Sequence, residues 1–134
     1  MKAVRIARPG GPEVLEVASV PDPSPGPEDV LVEIRAAGVN RADLLQRMGG
    51  YPAPADAPQD IPGLEYAGVV LEKGAMVDRW SAGDRVMGLL GGGGYADRAV
   101  VHSDLLLPLP RGLSFVEGAG IPEVFATAYD ALRF

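Results

Sequence analysis

Asn40, Asp43 and Tyr51 are the residues of this chain whose types and spacing best suit chemistry on a small molecule. Asn40 and Asp43 are three apart, one turn of a helix, and Tyr51 follows just beyond a Gly49-Gly50 stop. An amide, a carboxylate and a phenol can therefore converge where a helix start meets its following loop. On a structural reading Asn40 is a helix N-cap and Tyr51 a packing aromatic, and spacing alone leaves both readings open. Glu65 lies in an apolar run, where an ion needs a partner; half of an internal ion pair is the favoured expectation, a catalytic acid the other. Gly91 to Gly94 form a glycine loop that lacks the Lys-Ser/Thr of a P-loop and the helix of a dinucleotide fingerprint. A flexible flap over a cavity, or a long hairpin loop, is expected there rather than a phosphate cradle. His102-Ser103-Asp104 holds the residue types of a nucleophilic triad, but neighbours in a strand face opposite sides, which argues against that use.

The elements that must position these residues are short. Lys2 to Ala7 and Val14 to Val20 alternate around the turn Gly10-Gly11-Pro12, which predicts a hairpin. Pro21 to Pro27 carries a proline at every second position and reads as an extended connector. Val30, Val32 and Ile34 mark a strand running on into Ala36-Ala37. Asn40 opens a helix over Arg41 to Met48, with Asp43 in its first turn and Arg47 in its last. Further strands are predicted at Gly63–Glu72, Arg85–Leu90, Tyr95–Val101 and Leu105–Leu107. Ser114-Phe115-Val116-Glu117 resembles a capping box, opening a small helix that ends before Pro122. Glu123 to Phe134 is helix-forming and meets no stop signal, so the chain is expected to be a fragment. The fold class is mainly β with short helices (α+β), a barrel or sandwich-like body.

Composition narrows the partners. The 134 residues include 18 Gly and 13 Pro, each roughly twice the usual share, which agrees with short elements and many turns. A net charge of −6 opposes binding to a polyanion, so nucleic acid is not an expected partner. No apolar stretch approaches the length of a membrane span, and Pro9 interrupts any signal-peptide core. A cytoplasmic protein is expected. With no cysteine and one histidine, neither a disulfide nor a thiolate metal site can form.

The run of motifs resembles the medium-chain dehydrogenase/reductases, and within them the zinc-free quinone oxidoreductase, zeta-crystallin-like branch. The resemblance is carried by Gly10-Gly11-Pro12-Glu13-Val14-Leu15, Val39-Asn40-Arg41-Ala42-Asp43 with Tyr51, Ile61-Pro62-Gly63-Leu64-Glu65 with Gly68, Gly83-Asp84-Arg85-Val86, and Ile121-Pro122 with Thr127-Ala128. It implies a GroES-like β-barrel catalytic domain over residues 1–121, with 122–134 starting the helix toward a Rossmann domain absent from this chain. Alcohol-oxidising relatives place a zinc-binding Cys where this chain has Asn40, and a zinc-binding His where it has Leu64; neither can replace those ligands. The resemblance therefore implies metal-free hydride transfer from NADPH or NADH to a quinone, or in an enoyl or alkenal reductase to an enone. Asn40 and Asp43 would shape the pocket beside nicotinamide and ribose, Tyr51 would offer its hydroxyl to cofactor or substrate, and Thr127 would stand near the nicotinamide. Gly92, Gly93 and Gly94 would border the substrate cleft. Members usually dimerise through the nucleotide-binding half, which leaves room for a homo-oligomer. Without that half the isolated chain is expected to be inactive, and a stand-alone GroES-like interaction module is the alternative of a different class.

Overall fold

A computed structural model describes residues 1–133. Strands β1 (Lys2–Ile6) and β2 (Leu15–Ser19) form an antiparallel hairpin. Its connection holds a 3-10 turn at Pro12–Val14, where proline's fixed φ and missing N–H cost nothing at the first position. The N-terminal ammonium ties the hairpin to the proline connector, donating to the Val20 carbonyl at 2.9 Å and pairing with Asp22 at 2.8 Å.

The second sheet is antiparallel, with spatial order β6-β3-β4-β5-β7. It contains β3 (Asp29–Ala37), β4 (Glu65–Lys73), β5 (Arg85–Leu89), β6 (Arg98–His102) and β7 (Leu106–Pro108). Helices α1 (Arg41–Arg47), α2 (Phe115–Ala119) and α3 (Pro122–Arg133) complete the order. The architecture is mainly β with short helices. Register shifts between β3 and β4 at Leu31/Val32 and Ile34/Ala36 bend the sheet. A bridge between Ala3 and Ala96, with the Val4 N–H donating to the Tyr95 carbonyl at 2.8 Å, joins the hairpin to the larger sheet.

The strands bury both faces because successive side chains point opposite ways. Tyr66 and Val70 of β4 join Val30, Val32 and Val86 in the main core, beside Trp80 and Leu106. Ala67 and Met87 face the other side, where Leu109 and Ala119 cover them. Helix α2 is held there by its Ser114–Glu117 capping box and by Arg85, which stacks over Phe115 at 4.7 Å and donates to the Leu113 carbonyl.

Three expectations shift in detail. The predicted strand at Tyr95 begins only at Arg98, because the Tyr95 N–H donates to Pro62 while its carbonyl accepts from Val4, so that residue serves two other segments. The strand expected from Gly63 begins at Glu65, since Gly63 has φ +107 and turns the chain. Leu105 falls in a 3-10 turn, Ser103–Leu105, ahead of β7. Among the described residues no helix is long and apolar enough to cross a membrane.

Candidate functional site

The site is built on the end of β3, where the chain turns at Gly38 and enters α1. Asn40 has the extended backbone of an N-cap, its backbone carbonyl accepts the Asp43 N–H at 3.1 Å, and its side chain makes no cap hydrogen bond of its own. The Asp43 side chain reaches back across this first turn, and the Asn40 N–H donates to Asp43 Oδ2 at 2.8 Å. Asn40 does more than cap: its Nδ2 donates to Glu65 Oε1 at 2.8 Å, from a position 25 residues away in sequence. Capping and site-building are one arrangement here.

Glu65 is 2% exposed and has no cation as its partner among the described residues. Its carboxylate accepts from Asn40 on one oxygen and from the Glu123 backbone N–H, in the first turn of α3, on the other at 3.0 Å. The expected ion pair is thus replaced by a neutral amide and a helix N-terminus, whose unpaired N–H groups and dipole favour an anion. Gly38 allows this packing, because a Cβ there would run into the Glu65 carboxylate.

Asp43, 4% exposed, is likewise engaged on both oxygens. Besides the Asn40 N–H, it accepts from the Gly63 N–H at 3.0 Å and from the Tyr95 hydroxyl at 3.0 Å. It joins α1 to the turn before β4 and to the end of the glycine loop. Tyr95 was not singled out from sequence: 52 residues separate it from Asp43, and only the fold brings them together. Burial, followed by the nearby Asp43 carboxylate and then Glu65, pushes the Tyr95 phenol well above its ordinary range.

Between α1 and α3 lies a groove of 430 Å³ lined by Asn40, Arg41, Ala42, Glu123, Val124, Thr127, Ala128 and Ala131. The structure therefore brings Asn40 and Thr127 together, with Asp43 directly behind Asn40. Thr127 Oγ1 reaches Glu123 Oε1 only at 3.5 Å. Tyr51 lines a different groove with Arg8, Pro9, Gln46 and Gln59; it is 42% exposed, and its hydroxyl makes no hydrogen bond among the described residues. Gly92 lines a cleft beside Pro58 and Leu90, and Gly94 a third groove between β1 and β3.

The glycine loop is anchored rather than free as a flap would be. The Gly93, Gly94 and Tyr95 N–H groups donate to the carbonyls of Ile61, Gly63 and Pro62 at 2.8, 3.0 and 2.9 Å. A Cβ on Gly63 would lie 2.7 Å from the Gly94 Cα, so two backbones touch where no side chain fits. His102 is equally local: its Nδ1 accepts the Asp104 N–H at 3.3 Å, capping a turn.

The groove combines apolar walls from Val124, Ala128 and Ala131 with the amide of Asn40 and the hydroxyl of Thr127 at its rim. That mixture suits a flat heteroaromatic ring carrying a polar substituent. Position 40 holds an amide and position 64 a buried leucine. Among the described residues no group of three or more His, Cys, Asp or Glu side chains is placed to hold a metal ion.

Comparison with known proteins shows which family the fold belongs to. The family described as "Alcohol dehydrogenase GroES-like domain" matches residues 26–111. The pikromycin polyketide synthase component PikAII of Streptomyces venezuelae is 43% identical over 95% of this chain and 3% of its own length. The quinone oxidoreductase of Lama guanicoe is 39% identical over 98% of this chain and 40% of its own. The chain thus spans well under half the length of these curated relatives. The structure of the Escherichia coli quinone oxidoreductase complexed with NADPH superimposes with a TM-score of 0.89 at 31% identity, covering 99% of this chain and 40% of that one. The CurK enoyl reductase does so at 0.85 and 27%, covering 95% and 40%.

Proposed function

Since the chain belongs to the alcohol dehydrogenase GroES-like domain family, in the quinone oxidoreductase branch of the medium-chain dehydrogenase/reductases, we propose that it is the substrate-side part of an NAD(P)H-dependent quinone reductase. The observation that carries this reading is the groove between α1 and α3, which joins Asn40 and Thr127 above a buried Asp43 and Glu65.

A reduced nicotinamide, when bound, supplies the hydride. The chain's part is alignment and shielding. Asn40 and Thr127 orient the polar edge of the ring, while Val124, Ala128 and Ala131 keep water from its face. Asp43, fully engaged in hydrogen bonds, holds Asn40 and the turn at Gly63 in place and is a positioning residue. Tyr51 lies outside this groove, on an exposed loop lining a separate one, and its uncommitted hydroxyl is the proposed donor to the oxygen that gains charge as the acceptor is reduced. Neither Asn40 nor Leu64 can replace a thiolate or an imidazole as a zinc ligand, which favours an acceptor that is already electron-poor, such as a quinone.

The pyrophosphate-binding turn of a Rossmann domain lies outside these residues, so the 134-residue chain mixed with NADPH and a soluble quinone should oxidise no cofactor above background. Turnover by the chain alone would overthrow that expectation. In a protein containing both parts, Tyr51→Phe should lower kcat/KM by roughly tenfold or more while leaving the unfolding midpoint unchanged. Equal kcat/KM would remove Tyr51 from the mechanism.

A second reading, reduction of an enoyl or alkenal substrate, is favoured by the likeness to the CurK enoyl reductase. The same groove serves both, because each acceptor takes hydride and develops charge on oxygen. Comparing kcat/KM for a quinone and for an enoyl thioester in the two-part protein decides between them.

A further inference from the structure

We propose that the cleft between β6 and the loop 54–58 is a second small-molecule site, one that takes an organic cation: an ammonium or guanidinium group carried on an aromatic or branched aliphatic body. The cleft shares no lining residue with the α1–α3 groove, so the proposal does not depend on the nicotinamide reading.

Its shape is that of a ligand pocket. The cleft measures 660 Å³, within the range of roughly 300 to 1,000 Å³ that such pockets occupy. Val100, Val101 and His102 of β6 form one wall and the loop 54–58 another. Leu89 and Leu105 add apolar surface and remain 39% and 61% exposed. The loop is held in place before any ligand arrives, because Gln59 Nε2 donates to the Pro54 and Ala57 carbonyls at 2.7 and 2.8 Å. Pro54 and Ala57 in turn rest on Gly91, where a Cβ would lie 3.2 and 3.1 Å from their side chains. A wall already ordered costs a ligand little to organise.

The charge of the lining selects what enters. Asp29 and Asp56 line the cleft, and no lysine or arginine does so among the described residues. Neither aspartate forms an ion pair among those residues. Asp29 accepts the Gly26 N–H on Oδ2 at 3.1 Å, and its other oxygen is left for a ligand. His102 brings no positive charge: its Nδ1 accepts the Asp104 N–H at 3.3 Å, a bond that a protonated ring cannot form. Its Nε2 stands 3.9 Å from Glu28, which brings a third carboxylate to the same rim. Apolar walls beneath a negative rim repel phosphates and carboxylates, and they hold a cation whose body covers the leucines.

A net charge of −6 attracts cations to the whole surface, so the test must separate a site from a general field. Phenethylamine, phenethyl alcohol and phenylacetate share one apolar body and differ in the charge of the head. Each is titrated into the 134-residue chain at about 150 mM salt, which screens charges more than about 8 Å away, and backbone amide shifts are followed. The amine should shift the Gly91, Gly92 and Leu105 amides and bind about fivefold tighter than the alcohol; phenylacetate should leave those amides unmoved. Asp56→Asn should weaken the amine about threefold without changing the alcohol. Glu16→Gln removes the same unit of charge from β2, outside the cleft, and should leave the amine as it was. Methylammonium, which has the charge without the body, should shift none of the three amides. Equal binding of amine and phenylacetate, equal effects of Asp56→Asn and Glu16→Gln, or methylammonium shifts matching those of the amine would each overturn the proposal. So would amine shifts confined to the exposed Phe125 and Leu132 of α3, or none at all.

Discussion

At the scale of single residues, polar groups in this chain fall into those the fold satisfies and those it does not. Asp43 and Glu65 are buried and bonded on both oxygens, whereas the Tyr66 hydroxyl is buried with no partner among the described residues. Tyr66 contributes a large apolar ring to the main core and a hydroxyl that has given up water for nothing. Replacing it by Phe keeps the ring and deletes the cost, so Tyr66→Phe should leave stability unchanged or raise it by up to about 1 kcal/mol in urea unfolding. A clear loss would mean the hydroxyl has a partner that matters. The Asn40–Asp43 pair was legible from sequence because capping obeys local spacing. The partner of Glu65 was not, because burial of an acid says only that a partner exists. Of its two partners one is the Asn40 amide, 25 residues away, and the other a helix end 58 residues away, a donor that carries no side-chain signature.

At the scale of elements, the site depends on a backbone junction. Gly63 turns the chain at φ +107 and lies against Gly94 and Tyr95, so a side chain there meets both an unfavourable backbone and occupied space. Gly63→Ala should cost about 3 kcal/mol or more in urea unfolding, from strain and overpacking together. Gly112→Ala is the control: a Cβ at that position meets nothing within 4 Å, and its effect should stay within about 0.5 kcal/mol. The strands and α1 could be read from alternation, caps and glycine stops. The glycine loop was harder, since four glycines in sequence signal freedom, yet the hydrogen bonds that remove it come from Ile61, Pro62 and Gly63, segments that only tertiary structure brings alongside.

At the scale of the whole molecule, two phenols tie stability to alkaline pH. Burial raises the pKa of Tyr66 and of Tyr95 above the ordinary value of 10.0, and for Tyr95 the Asp43 carboxylate adds to it. The folded chain therefore keeps protons that the unfolded chain releases. The stabilisation is complete below about pH 10 and is lost as pH rises toward the folded values. Urea midpoints should decline as pH is raised through that range, and Tyr66→Phe/Tyr95→Phe should flatten the decline; an unchanged slope would assign it elsewhere. The strand order has a kinetic consequence. His102 pairs with Asp29, so β6 can join β3 only after the chain between them has folded back. Such distant pairing belongs to slow folders, in the range of roughly milliseconds to seconds. Until β6 arrives, one side of β3 offers open backbone to any neighbouring chain. For a newly made copy in a crowded cell, the period of greatest risk is the wait for its own late strand.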